Sequence, residues 1–140
     1  MVGTQDAEDL TQQVFVQVFR NLQNYAGSAR FETWVYRIAT NEALQFLRKE
    51  RRWKFQRLSE DPMNENPSEQ DALDDSELLN VALQRIAPEL RSIFLLREVE
   101  KLSYREIAEA SSVPQGTVGS RLNRARRELQ QHLIDLGWEA

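Results

Sequence analysis

From Ser59 to Leu79 the chain carries eight acidic residues and no basic one, with Pro62 and Pro67 among them. Few side chains in that stretch suit a hydrophobic interior, and its like charges repel, so it reads as a flexible tether between domains. This divides the 140 residues into two short blocks. Cysteine is absent, which excludes disulfides, thiolate metal sites and thiol nucleophiles together.

The net charge of -4 and pI near 5.1 argue against indiscriminate binding to nucleic acid, because counterion release needs many cations facing phosphates. The average conceals a segregation. Between Arg30 and Arg57 there are eight basic residues against three acidic ones, and six of the basic ones fall within Arg48–Arg57. A helix end attracts a few cations through its dipole; six in ten residues exceed that need, and DNA backbone contact explains them better. No long apolar run and no basic-then-apolar leader occurs, so the sequence predicts a cytoplasmic protein with no membrane insertion.

Apolar residues recur at three- and four-residue steps wherever the chain has a core to make, so the fold class is all-α. Leu10, Val14, Val18 and Leu22, with Phe15 and Phe19 beside them, mark a first helix that Asp6 is placed to cap. After a small-residue loop from Asn24 to Arg30, the residues Phe31, Trp34, Val35, Ile38, Ala39 and Phe46 mark a second helix ending near Arg52. Phe31 and Trp34 are expected in the core, whereas Tyr36 falls on a different face. Beyond the tether, Leu78, Leu79, Ala82, Leu83 and Ile86 predict a helix that stops before Pro88, which suits the first turn of the next. That next helix carries Leu90, Ile93, Phe94 and Leu96 to about Lys101.

Ser103 and Glu106 form a capping box, opening a short helix to about Ala110. A turn through Ser112, Val113 and Pro114 leads to a long helix reaching about Leu136. This is the grammar of a helix-turn-helix, although Ser112 stands where the turn often carries glycine. Ile107 and Ala108 point inward from the first helix, and Val118, Leu122, Ala125 and Leu129 form the inner stripe of the second. Its outer face is left to Gln115, Thr117, Ser120, Arg121, Asn123, Arg124 and Arg127, and its free backbone donors at Gln115, Gly116 and Thr117 suit a phosphate. The plainer alternative is a solvated basic helix in an unrelated bundle.

Three runs carry a resemblance. Leu102–Ala108, Val113–Leu122 and Arg124–Arg126 resemble the fourth conserved region of extracytoplasmic-function sigma factors of the sigma-70 family, which reads the promoter -35 element. Asp6–Phe15 resembles that family's polymerase-docking helix, and Tyr25–Asn41 looks like the region that recognises and opens the -10 element. Family members usually carry a basic residue where Gly119 stands, and many have glutamate where Gln13 stands.

The resemblance implies two small helical domains: a region 2-like domain over 1–57, an acidic linker over 58–75 and a region 4-like helix-turn-helix domain over 76–140. Family members normally have another helix before the docking helix, so the first domain is expected to be truncated, with part of its apolar face uncovered. Gln115, Gly116, Thr117, Ser120, Arg121 and Arg124 would then contact the -35 duplex. Arg30, Arg37, Asn41, Arg48, Arg51 and Arg52 would contact the -10 region; Arg37, Asn41, Leu44 and Arg48 share a helical stripe, and the glycine-containing loop would hold an extruded base, a grip worth roughly 1–3 kcal/mol. Asp9, Gln12 and Gln13 would dock core RNA polymerase, although the same polar face suits an ordinary amphipathic helix. The implied partners are core polymerase and promoter DNA, with room for an anti-sigma factor.

No cofactor or metal is called for. No nucleophile–base pair and no phosphate-cradling glycine loop is visible, so the chain is not read as an enzyme. His132 has no His or Cys neighbour and reads as structural or solvent-facing. Two rivals remain: a dimeric helix-turn-helix regulator that needs no polymerase, and a polymerase-binding interaction protein that no longer directs transcription.

Overall fold

The computed structural model describes residues 1–58 and 73–139. Among the described residues the order is α1 (Thr4–Asn21), a single 3₁₀ turn (Leu22–Asn24), α2 (Phe31–Leu58), α3 (Asp75–Arg85), α4 (Pro88–Glu98), α5 (Tyr104–Ser111) and α6 (Gln115–Asp135). No strand occurs among them, in keeping with the all-α expectation. Most of the expected linker lies in 59–72, outside the described residues.

Helix α1 begins earlier than Asp6. Gly3 occupies the cap position without a side-chain bond, and Asp6 sits in the first turn, where its charge still meets the positive end of the dipole. Only Leu10 of its apolar residues is buried, while Val14 and Val18 are half-buried against α2. Phe15 and Phe19 are 61% and 75% exposed, and Leu22 is exposed as well. Part of the apolar face is therefore uncovered.

Gly27 takes a positive φ of 74°, which turns the loop back on itself, and the Tyr25 hydroxyl donates to the Ala29 carbonyl at 2.6 Å to close it. Tyr25, Phe31 and Trp34 then meet as an aromatic trio with centroids 5.3–5.7 Å apart. Trp34 is half-buried as expected of a core residue, but Phe31 is 47% exposed, because its ring packs only along the rim of the loop. Helix α2 continues past Arg52 to Leu58, since no glycine or proline interrupts 31–58 and Glu50 pairs with Lys54 one turn on at 3.1 Å. At about 1.5 Å per residue it is roughly 42 Å long.

The C-terminal half holds the core. Asp74–Glu77 and Ser103–Glu106 form reciprocal capping boxes that start α3 and α5, and Pro88 opens α4. Ile93, Leu96, Leu102, Ile107, Ala110, Val118 and Leu122 make one buried cluster; Ala82, Leu83, Ile86, Leu90, Ala125 and Leu129 make a second. The inner stripe expected of α6 is buried throughout, whereas Leu79 of α3 is exposed. Ser112 adopts the left-handed conformation (φ 56°) that turns of this kind usually give to glycine.

Arg91 is an unexpected member of this interior, only 4% exposed. Its Nε donates to the Leu83 carbonyl at 2.7 Å, Nη2 to Ile86 at 3.2 Å and Nη1 to Met1 at 2.9 Å. The carbonyls of Leu83 and Ile86 belong to the end of α3, where helix oxygens lack intrahelical donors, so a guanidinium from α4 completes α3 from the side. Burial lowers the arginine's pKa and the Glu50 carboxylate opposes that shift.

The two blocks on either side of the expected linker touch one another. Tyr36 of α2 packs against the Ile93–Leu122 cluster, and Thr33 and Thr40, on the same face, are buried. Helix α2 therefore lies between α1 and the α4–α5 pair.

Two outcomes follow. Arg91→Leu should lower unfolding free energy by about 2–3 kcal/mol, because the carbonyls of α3 lose charged donors, and Arg91→Lys should recover little of it, as read by urea denaturation. In amide hydrogen exchange of the full chain, α1 should exchange faster than α5 and α6, since its apolar side has little to pack on.

Candidate nucleic-acid interface

Helix α6 leaves one face to solvent because its other face carries Val118, Leu122, Ala125 and Leu129 into the core. Gln115, Gly116, Ser120 and Arg124 are exposed at that outer face, and Thr117 and Arg121 are half-buried along its edge. The Ser120 hydroxyl donates to the Thr117 carbonyl at 3.1 Å, and Arg124 pairs with Glu128 at 3.2 Å. Helix α6 is 21 residues long with its N-terminus open, the shape and polarity that fit a major groove.

Gly119 lies beside Tyr104 of α5: a Cβ there would stand 3.8 Å from the ring, an ordinary contact. The position is open to a side chain, so the glycine costs helix stability, about 1 kcal/mol relative to alanine, with no steric reason for it. Arg97 stacks 5.1 Å above the same ring, and Arg126 pairs with Glu98 at 3.0 Å. His132 is half-buried on the last turns of α6.

On α2, Arg37, Asn41 and Arg48 are exposed and Leu44 is half-buried, so the stripe expected from helical spacing exists as a surface. Arg51 and Arg52 extend it, and Arg30 is exposed just before the helix. Residues of the loop between Asn24 and Ala29, other than Gly27, line an open pocket of about 420 Å³ together with Thr33, Trp34 and Arg37, and Glu109 of α5 reaches its rim. Tyr25 and Trp34, two of the three aromatic rings, are part of its wall. Phe55, 79% exposed, and Trp53, 65% exposed, sit among the arginines at the far end of α2; sequence reasoning passed over both, although aromatics interleaved with cations are a usable signal for nucleic acid. Asp9, Gln12 and Gln13 are exposed together on α1, flanking a shallow groove shared with Val16, Gln17 and Arg20.

These surfaces are not brought into one site. What joins the halves is a set of contacts that spacing did not reveal. The Tyr36 hydroxyl donates to Glu100 at 2.7 Å, Arg48 meets Glu89 at 3.5 Å, and Glu109 shares the loop pocket with Arg37. The backbone and hydroxyl of Ser103 hold the Glu106 carboxyl below its usual pKa, and Arg30 adds a smaller pull in the same direction. Among the described residues no His, Cys, Asp and Glu cluster suits a metal, and no helix is long and apolar enough to cross a membrane.

The hydrogen bond to Glu100 pushes Tyr36 up to about 12, with burial and the charges of Glu100 and Glu32 adding to it. The folded pKa exceeds the ordinary value near 10, so this bond stabilises the packed form fully below pH 10 and is lost as pH rises through about 12. Ultraviolet titration should show a late tyrosinate step that Tyr36→Phe removes and that Glu100→Gln moves down towards 10.

Comparison with known proteins gives these surfaces a context. The sequence profile for Sigma-70 region 2 matches residues 1–53, and that for Sigma-70, region 4 matches residues 76–129. The chain is 41% identical over 134 residues to the ECF RNA polymerase sigma factor SigE of Mycolicibacterium smegmatis, taking in 91% of this chain and 52% of that protein. It thus spans about half the length of that relative. It is 33% identical over 151 residues to the ECF RNA polymerase sigma-E factor of Haemophilus influenzae, covering 96% of this chain and 78% of that one. In fold it is similar to a solved structure of the sigma factor RpoE in complex with the anti-sigma factor NepR from Bartonella quintana, with a TM-score of 0.71 at 24% identity over 96% of this chain and 84% of that one.

Proposed function

The chain belongs to the sigma-70 family of RNA polymerase sigma factors, in its extracytoplasmic-function branch, and from that premise we propose how its surfaces divide the work of directing promoter-specific initiation. Residues 1–57 dock core RNA polymerase and engage the -10 element, 58–75 tether, and 76–140 read the -35 element. The chemistry of RNA synthesis belongs to polymerase, and the chain itself is no enzyme.

The observation that carries this reading is the pair of exposed basic faces on one chain, the outer side of α6 and the stripe of α2. Gln115, Gly116, Thr117, Ser120, Arg121 and Arg124 enter the major groove of the -35 duplex, the early residues at base edges and the later arginines at phosphates. Arg37, Asn41 and Arg48 follow the -10 strand, with Arg30 at the loop and Arg51 and Arg52 on the backbone beyond. An unstacked base fits the loop pocket, where Trp34 and the Tyr25 ring offer flat apolar surface. Asp9, Gln12 and Gln13 meet polymerase.

Each grip is weak alone. Tethering them on polymerase raises the effective concentration of the second once the first is made, which agrees with a net charge of -4 that disfavours free binding to DNA. The protein works in the cytoplasm, and an anti-sigma factor, as in the NepR complex of the similar fold, is a candidate partner.

In vitro transcription with core polymerase on a promoter library tests this. Wild type should give promoter-dependent transcripts. Arg121→Ala should cut them about ten-fold through the -35 contact, a loss of roughly 1–3 kcal/mol, and Asn41→Ala should impair opening with -35 binding unchanged. Dimeric operator binding with no polymerase requirement would overturn the proposal.

A further inference from the structure

The last turns of α2 carry an aromatic ring that no core claims. Phe55, 79% exposed, lies eighteen residues beyond Arg37, which is five whole helical turns, so its ring falls on the same stripe as Arg37, Asn41 and Arg48. With Arg48, Arg51, Arg52 and Gln56 it lines an open depression of about 420 Å³ in which no carboxylate takes part. On its other side it borders a second depression of about 350 Å³, where Glu50 is already paired with Lys54 at 3.1 Å. The ring thus stands as a ridge with open space on two sides. Arg51 and Arg52 are exposed beside it, and among the described residues neither has an ion-pair partner.

We propose that Phe55, flanked by Arg48, Arg51 and Arg52, is a stacking site for an unpaired base, a second anchor for the DNA strand that follows α2 away from the loop pocket. This rests on the reading of α2 given under Proposed function. A ring held in water among guanidinium groups suits a ligand that is flat and apolar on its faces and anionic at its edge. A nucleotide is both, since its base stacks on the ring and its phosphates meet the arginines. An apolar protein surface would instead have to desolvate three charges that it cannot answer. Arg37 lines the loop pocket, and Phe55 lies about 27 Å further along the helix axis. That distance is about eight base steps at about 3.4 Å per stacked base. A strand held in the pocket at one end and on the ring at the other stays extended over this length, and the arginines between meet its phosphates.

The test is fluorescence anisotropy of the full chain at low ionic strength with a labelled oligo(dT) of about twelve nucleotides, longer than that span. Phe55→Ala should weaken binding about ten-fold, which is about 1.4 kcal/mol and within what one stacked base contributes. Phe55→Trp should hold or tighten it, and Phe55→Leu, apolar but not flat, should lose as much as the alanine variant. An abasic strand of the same length, and the duplex of oligo(dT) with oligo(dA), should bind wild type and Phe55→Ala alike, because neither offers a free base face. The salt dependence of binding should be unchanged in Phe55→Ala and shallower in Arg52→Ala, which gives up a phosphate. Residue 55 is exposed, so circular dichroism should show each variant as helical as wild type. No binding of oligo(dT) by wild type, full affinity in Phe55→Ala or Phe55→Leu, or the same loss on duplex and abasic strand would each overturn the proposal. A Phe55→Ala chain that keeps the strand but loses core RNA polymerase would overturn it too, by placing a protein on the ring. The sigma-factor reading fails separately, through absence of polymerase-dependent transcripts from the wild type, and the oligonucleotide affinities stand whatever that outcome.

Discussion

Helix α2 is packed from two sides, and almost everything about the molecule depends on the difference between them. On the α1 side the contact is thin: Leu10 reaches the interior, while Phe15 and Phe19 point away. On the α4–α5 side Tyr36 meets a buried cluster of the C-terminal half, and Thr33 and Thr40 on the same face are buried. Burial of apolar surface is worth about 25 cal/mol per Å², so a helix with so little of its own to bury gains order from whichever neighbour has a core to share. The region that would read the -10 element is thereby steadied by the region that would read the -35 element.

That arrangement also fixes what has to move. Elements 25 base pairs apart lie about 85 Å apart along B-form DNA at about 3.4 Å per pair. A chain folded back on a helix of roughly 42 Å does not bridge them. From Leu58 to Asp75 the backbone reaches about 60 Å at full extension, which together with the widths of the two halves covers the gap. Simultaneous contact with both elements thus needs the Tyr36–Glu100 and Arg48–Glu89 contacts to break, and a larger body to hold the halves apart afterwards.

Much of this was legible in the sequence, and what was legible shares a physical cause. The α6 stripe of Val118, Leu122, Ala125 and Leu129, the Ser103–Glu106 capping box and the Pro88 helix start are all local, set by periodicity or by bonds three residues long. The exposed stripe of Arg37, Asn41 and Arg48 follows from the same periodicity. Asp6 was placed one turn off as a cap because acidic residues suit both positions, and Phe31 was expected inside because an aromatic ring does not announce whether a neighbour exists to cover it. Arg91, Tyr36 and Glu100 were out of reach: their partners lie up to 90 residues away, and only the packing of helices brings them together.

The chemistry at that packing surface has a further consequence for how such a chain behaves when free. A factor with two exposed arginine-bearing faces would wander over any polyanion in the cell, since phosphate contacts carry no sequence information. Among the described residues one ion pair crosses the packing surface, Arg48 with Glu89 at 3.5 Å, and the other arginines of the stripe stay exposed. That pair remains largely hydrated, and an exposed ion pair of this kind contributes little. The acidic overall charge acts more broadly than any single carboxylate, since it repels every phosphate at once.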